Sequence, residues 1–294
     1  MTTSQDEPLK AGVIGFPLTH SISPQFQQAG YDSLGLNVRY QAYETPPDAL
    51  PAFLATMRQG GWLGCNVTIP HKRAAYDSVD ALTEEAEAIG AVNTILVQDG
   101  RLLGHNTDAE GFMRALTEEA HFDVRGRDAV LLGAGGAALA VAIGLARGGV
   151  RRLWIANRSA ERSQALAERI RGRGMPVHAD AVPLEAEALR RPMSKASLLV
   201  NSTSVGMSGG PAPHELPLAQ DLLHSRLLVY DLVYNPARTP LLNAAEQAGA
   251  RTLEGLPMLI YQGAASFERW TGRPAPIATM MEAGRRALAE RTHH

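Results

Sequence analysis
The chain has 294 residues, 45% of them hydrophobic and 20% charged, with a net charge of −2; this is a globular composition with core enough for one large domain or two. It carries no basic stripe for nucleic acid or an anionic membrane and no apolar run long enough to span a bilayer. Its single cysteine, Cys65, excludes an internal disulfide and a cysteine-rich metal cluster.

Lys10 to Ile14 reads as a buried strand and Pro24 to Leu34 as the helix after it. The S-x-S-P run at Ser21 and Ser23 is a helix-start signal, because serine before proline caps well. Val38 to Tyr43 alternates like a strand, and Asp48 to Arg58 reads as a helix. Trp62 to Val67 is the next strand, and Cys65 within it reads as a packed side chain rather than a nucleophile. The strand runs into Thr68 and Pro70, with Pro70 expected in the first turn of the following helix, where its missing N–H costs nothing. Asn66, Thr68 and Lys72 would then share one short rim at the carboxyl end of a strand, a place suited to a small ligand. A solvated turn that holds a lysine is the competing reading. Asn106-Thr107-Asp108 ahead of Ala109 is an N-cap pattern.

A second unit starts near Thr107. Asp128 to Leu132 reads as a strand that enters Gly133-Ala134-Gly135-Gly136-Ala137-Ala138 and opens a helix over Ala137 to Ala146. Such a turn lets backbone N–H groups and a helix N-terminus approach a pyrophosphate; Ala138 stands where the G-x-G-x-x-G pattern has its third glycine. The next strand, Leu153 to Ala156, runs into Asn157-Arg158-Ser159 and a helix over Ser159 to Ile170. An NAD site places an acid there, about 20 residues on, for the ribose 2′-hydroxyl. Here Arg158 and, one turn later, Arg162 offer guanidiniums that would clamp a 2′-phosphate, which favours NADP. Two solvated surface arginines are the alternative, with Glu161 the acid able to pair with them. Leu198 to Asn201 and Leu227 to Asp231 are further strands, and Pro276 to Glu290 is a last helix. The β-α repetition predicts an α/β protein with mostly parallel sheets and boundaries near 106 and 255. No H-x-x-x-H pair occurs among the nine histidines, so no metal is expected. The polar first ten residues lack a signal-peptide core, so the cytoplasm is expected.

Taken in order, these motifs resemble the shikimate dehydrogenase family, which includes quinate/shikimate dehydrogenases. The resemblance runs from Gly15-Phe16-Pro17 and His20-Ser21-Ile22-Ser23-Pro24 through Asn66 to Lys72, Gly90 to Thr94, and Gly104 to Asp108. It continues through the glycine turn, Asn157-Arg158-Ser159, Asn201-Ser202-Thr203 with Gly206-Met207, Asp231 to Pro236, and Thr239-Pro240. Gly255 to Met258, Gln262, Phe267 and Trp270-Thr271-Gly272 close it. Phe16 sits where many members have Asn, Gln27 where His often follows the serine loop, and Ser159 where Thr is commoner. Serine keeps the hydroxyl; the other two changes bear on substrate fit.

The resemblance implies two domains with a cleft between them. Residues 1–106 plus 256–294 would form an α/β substrate-binding domain, and 107–255 a Rossmann-like NADP-binding domain. It implies reversible NADPH-dependent reduction of 3-dehydroshikimate to shikimate, on the route to chorismate and the aromatic amino acids. Lys72 and Asp108 would carry the chemistry. Ser21 and Ser23 would take the substrate carboxylate, and Asn66, Thr68, Asn93, Gln262 and Tyr234 the rest of the substrate. Gly133, Ala134, Gly135, Gly136 and Ala137 would cradle the cofactor's phosphates. Asn157, Arg158, Ser159 and Arg162 would hold its 2′-phosphate end, Thr203 and Leu232 would also bind the cofactor, and Gly255 and Met258 would lie at its nicotinamide end, with Gly255 a point of backbone rotation. A quinate/shikimate dehydrogenase of broader specificity, or a catalytically silent ligand sensor, are the alternatives. The expected partner is a small molecule, with no nucleic acid and no membrane, and the protein would be a monomer or homodimer.

Overall fold
The computed structural model describes residues 7–19 and 21–292; His20 of the serine loop, the start of the polar N-terminal segment, and His293 and His294 lie outside them. The chain forms two compact units, one up to Gly111 and again from Leu259 onward, the other Phe112–Met258.

In the first unit β1 (Leu9–Gly15), α1 (Ser23–Ser33), β2 (Val38–Glu44), α2 (Leu50–Met57), β3 (Trp62–Val67) and α3 (Lys72–Ser78) follow one another. β4 (Ala81–Leu82), α4 (Glu84–Ile89), β5 (Thr94–Gln98), β6 (Arg101–His105) and α5 (Asp108–Arg114) come next. The sheet order is β2-β1-β3-β5-β6-β4. β1 runs parallel to β2 and β3, but β5 is antiparallel to both β3 and β6. This sheet is therefore mixed, with three parallel and two antiparallel strand pairs. The cause is the Asp99-Gly100 turn, with φ of 51° and 75°, which reverses the chain directly from β5 into β6.

Side chains of β1 alternate across the sheet as the pleat requires. Ala11 and Val13 pack with Tyr31, Tyr40, Phe267 and Trp270 on one face. Ile14 packs with Leu54, Met57, Cys65, Val67 and Ile95 on the other. Burial pushes the Cys65 thiol pKa up, which keeps it protonated and inert.

The second unit contains β7 (Asp128–Leu132), α6 (Gly136–Arg147), β8 (Arg152–Asn157), α7 (Ala160–Arg171), β9 (His178–Pro183) and α8 (Ala186–Lys195). β10 (Leu198–Asn201), β11 (Leu228–Asp231), α9 (Pro240–Gln247) and β12 (Arg251–Leu253) complete it. Its sheet, ordered β12-β11-β10-β7-β8-β9, is parallel throughout. All five residues of β7 are buried, as a strand covered on both faces should be. The order reverses between β7 and β10, so the loops leaving those strands open the crevice where doubly wound sheets bind ligands. Two further helices, α10 (Leu256–Thr271) and α11 (Ile277–Thr292), end the described chain. Among the described residues no helix is long and apolar enough to cross a membrane.

Candidate active site
In the first unit the order turns between β1 and β3, and the loops from their carboxyl ends carry the serines and the lysine. Ile69 and Pro70 are exposed, joined by a cis peptide, and form a turn that His71 closes by donating its N–H to Thr68 O at 2.9 Å. The helix starts at Lys72. Pro70 thus precedes the helix rather than sitting in its first turn, because the turn from Thr68 to His71 intervenes. His71 is buried, and its Nε2 donates to Thr45 O at 2.6 Å, since a carbonyl can only accept. This bond pins the residue next to Lys72 to the loop after β2.

Lys72 Nζ lies 2.6 Å from Asp108 Oδ2; the lysine side chain is 32% exposed and the aspartate 13%. Asp108 begins α5, yet the start of that helix is served by Asn106, whose Oδ1 accepts from Asp108 N at 3.0 Å. The Asp108 carboxylate is left for Lys72 and for Asn93, whose Nδ2 donates to Oδ1 at 2.7 Å. Asn93 is in turn held through its Oδ1 by Thr107 N at 2.9 Å. Gln262 reaches the same cluster from α10, with Oε1 3.4 Å from Asn93 Nδ2. Sequence reasoning assigned no role to Thr94, Thr107 or Ser266 beneath this pair. Ser266 had a legible signal, because it stands four residues after Gln262 on the same face of α10.

Asn66 is buried, and its amide is engaged inside the protein: Oδ1 accepts from Tyr40 Oη at 2.8 Å and Nδ2 donates to Ser266 Oγ at 2.9 Å. Thr68 is half-buried on the rim above it. In the serine loop, Ser21 Oγ accepts a long bond from Ser23 N at 3.3 Å, and the side chain at the helix cap, Ile22, makes none. Gln27 is fully buried, with Nε2 donating to Gly263 O at 2.9 Å, and joins α1 to α10. Phe16 is 45% exposed.

In the second unit the glycine turn leaves β7. Gly133 has φ of 106°, and a Cβ there would come within 2.6 Å of Ser202 Oγ, so no other residue fits between the loops after β7 and β10. Ala134 is half-buried, and Gly135, Gly136 and Ala137 are exposed at the start of α6. Nothing lies within 4 Å of a Cβ built on Gly135 or Gly136, which leaves the helix N-terminus open. At the end of β8, Asn157 Nδ2 donates to Ser159 O at 3.1 Å, and Ser159 caps α7 by accepting from Arg162 N at 3.3 Å. Glu161 accepts from Ser159 Oγ at 2.7 Å, and that bond holds its carboxyl below the usual range. Arg158 and Arg162 are exposed, and neither has a salt-bridge partner among the described residues.

The loop after β10 is braced by Asn201, whose Oδ1 accepts from Thr203 N at 3.1 Å and Thr203 Oγ1 at 2.7 Å. Asn201 Nδ2 donates to Asp231 Oδ1 at 2.9 Å; Val233 N donates to the same oxygen and Thr239 Oγ1 to Oδ2. Asp231 is fully buried with no salt-bridge partner among the described residues, and burial pushes its pKa up to about 6 against those three bonds. The bonds tie the loop carrying Thr203 to the loop carrying Leu232 and Tyr234. A Cβ on Gly255 would come within 2.4 Å of Leu232 O. Close backbone approach is therefore one requirement for glycine at 255. Met258 is half-buried.

Comparison with known proteins places these features in one family. Residues 13–95 match the Shikimate dehydrogenase substrate binding domain, 115–205 the Shikimate / quinate 5-dehydrogenase family, and 255–283 the Shikimate 5'-dehydrogenase C-terminal domain. The shikimate dehydrogenase (NADP(+)) of Methanopyrus kandleri is 47% identical over 92% of this chain and 93% of its own. That of Moorella thermoacetica is 45% identical over 94% and 92%. The crystal structure of shikimate 5-dehydrogenase from Thermus thermophilus in complex with NADP(H) and shikimate superposes with a TM-score of 0.85 at 42% identity, covering 95% of this chain and all of that one.

Proposed function
The chain belongs to the shikimate dehydrogenase family, and on that premise we propose that it reduces 3-dehydroshikimate reversibly to shikimate with NADPH, on the route to chorismate and the aromatic amino acids. Of the functions open to the sequence, this is the one that the names of the relatives at 45–47% identity carry. The observation that supports it most is the Lys72–Asp108 contact at 2.6 Å, fixed from behind by Asn93. Residues 1–106 plus 256–294 act as the substrate domain in this reading and 107–255 as the NADP domain.

The open helix start at Gly135 and Gly136 and the two acid-free arginines suit a dinucleotide that carries a 2′-phosphate. Gly133 to Ala137 would hold its pyrophosphate. Asn157, Arg158, Ser159 and Arg162 would hold its adenosine end, and Thr203, Leu232, Gly255 and Met258 its nicotinamide end. Bound NADPH supplies the hydride.

Reduction of the ketone leaves an electron pair on its oxygen, which must gain a proton. Lys72 has three N–H groups, one of them held by Asp108. A second would stabilise that oxygen and donate to it; in the reverse direction the lysine takes the proton back. Asp108 orients the ammonium and would accept from the hydroxyl beside the reacting carbon. Ser21 and Ser23 would bind the carboxylate. Thr68, Asn93, Gln262 and Tyr234 would serve the ring hydroxyls, above a floor held by Asn66. The enzyme would work in the cytoplasm as a monomer or homodimer. A spectrophotometric assay of shikimate with NADP⁺, against quinate and NAD⁺, tests the reading. Turnover of shikimate with NADP⁺ well above the other pairs is expected; no turnover with any pair would overturn it.

A further inference from the structure
Behind the Lys72–Asp108 pair lies a run of buried polar side chains, three of which, Tyr40, Thr94 and Ser266, the mechanism does not use. Tyr40 Oη donates to Asn66 Oδ1 at 2.8 Å, and burial keeps the phenol protonated by raising its pKa. That bond orients the Asn66 amide, so its Nδ2 donates to Ser266 Oγ at 2.9 Å. Ser266 Oγ is 2.7 Å from Thr94 Oγ1, which donates to Asn93 Oδ1 at 2.9 Å. A hydroxyl has one proton. The proton of Thr94 is spent on Asn93, so the one between the two hydroxyls belongs to Ser266. Ser266 Oγ also lies 3.0 Å from Gln262 O, but that carbonyl is farther than Thr94 Oγ1 and takes Thr107 Oγ1 at 3.0 Å as well. With Oδ1 turned to Thr94, Asn93 presents Nδ2 to Asp108 at 2.7 Å. Every donor points the same way, from Tyr40 to the carboxylate that holds Lys72.

We propose that Ser266 is a positioning residue: supplied by α10, it closes a one-directional hydrogen-bond chain from Tyr40 through Asn66, Thr94 and Asn93 that orients the Asp108 carboxylate for Lys72. This rests on the assignment of Lys72 and Asp108 to the chemistry. Ser266 and Thr94 are both fully buried, so solvent cannot replace a missing link. Thr107 N gives Asn93 Oδ1 a second donor, so loss of Ser266 loosens the orientation without abolishing it.

The test uses the full chain with Ser266→Ala, Thr94→Val and the double variant, each followed by shikimate oxidation with NADP⁺ across pH and by thermal unfolding. Each single variant should lower kcat by about 5–20-fold, the worth of one buried hydrogen bond. Each should displace the acid limb of the pH–kcat profile and leave KM for NADP⁺ unchanged. The double variant should be no slower than the worse single, because both cut the same chain. Lowered Tm with wild-type kcat and pH profile would make Ser266 a packing residue and overturn the proposal. If Ser266→Ala does not fold, Tyr40→Phe, which removes the first donor and keeps the ring, is read by the same criteria. Asp108→Asn separates the layers. Wild-type turnover in that variant would sink the active-site assignment itself. An inactive Asp108→Asn beside fully active Ser266→Ala, Thr94→Val and Tyr40→Phe would sink only the positioning chain.

Discussion

At the scale of single residues, Lys72 carries the sharpest expectation. It is one of only three lysines in the chain, with Lys10 and Lys195, and the one paired with a half-buried carboxylate. Lys72→Ala should lower kcat by on the order of 10²-fold or more while substrate binding falls less. Asp108→Asn should share much of that loss, and the double variant should fall far short of the product of the two. Near-normal kcat with a raised KM would reduce Lys72 to a binding residue. Asp231 makes a different prediction. Its folded pKa, about 6, lies above the ordinary 3.8, so between those pH values the native state binds more protons than the unfolded chain. Its contribution to stability therefore falls as pH rises from about 4 to 6 and is flat above, by about 3 kcal/mol in all. Urea unfolding of wild type and Asp231→Asn at pH 4, 5, 6 and 7 measures the difference. Asn keeps an oxygen for Asn201 and Val233 and cannot ionise, so the variant should gain on the wild type across that window. Parallel pH curves would show that Asp231 is relieved in some other way.

At the scale of elements, the start of α7 sets the cofactor expectation. Ser159 caps the helix and also occupies Glu161, which leaves Arg158 and Arg162 without an acid to neutralise them. Each charge-assisted contact to a 2′-phosphate is worth about 1.5–3 kcal/mol, or about 10–150-fold. Arg158→Ala should lose about that factor in kcat/KM for NADP⁺ and keep its value for NAD⁺. Equal efficiency with the two cofactors in the wild type would refute the clamp. The strand-turn-helix around Gly133 and the arginines after β8 were legible because each element is short, local and marked by glycine or capping residues. The β5–β6 hairpin was not read, although Asp99-Gly100 is a hairpin signal, because the alternation of strands and helices elsewhere favoured parallel crossovers. Pro70 was misplaced because a proline near a helix start fits N1 and a preceding turn equally well by sequence. Asn66 read as a rim residue, yet its partners Tyr40 and Ser266 lie 26 and 200 residues away; no local pattern reports contacts of that range.

At the scale of the whole molecule, each unit has its own sheet and its own buried clusters, and the proposed binding groups divide between them: Ser21, Ser23, Lys72 and Asp108 in the first, the glycine turn and Arg158 in the second. A ligand that binds only folded protein stabilises it by RT ln(1 + [L]/Kd), about 2.7 kcal/mol at one hundred times Kd. For units of this size that is a rise in Tm of roughly 5–10 °C. NADP⁺ and shikimate should each raise Tm in the wild type. Arg158→Ala should lose most of the shift with NADP⁺ and keep the shift with shikimate. Ser21→Ala/Ser23→Ala should do the reverse, because it removes hydroxyls assigned to the carboxylate and touches no residue of the second unit. Calorimetry of the three proteins, each with either ligand alone, reads all the outcomes. If the serine variant loses the NADP⁺ shift as fully as the shikimate shift, the serine loop is a structural brace and the carboxylate is bound elsewhere. If Arg158→Ala loses both, the arginine supports the fold rather than the phosphate, and the preference for NADP must come from another part of the second unit.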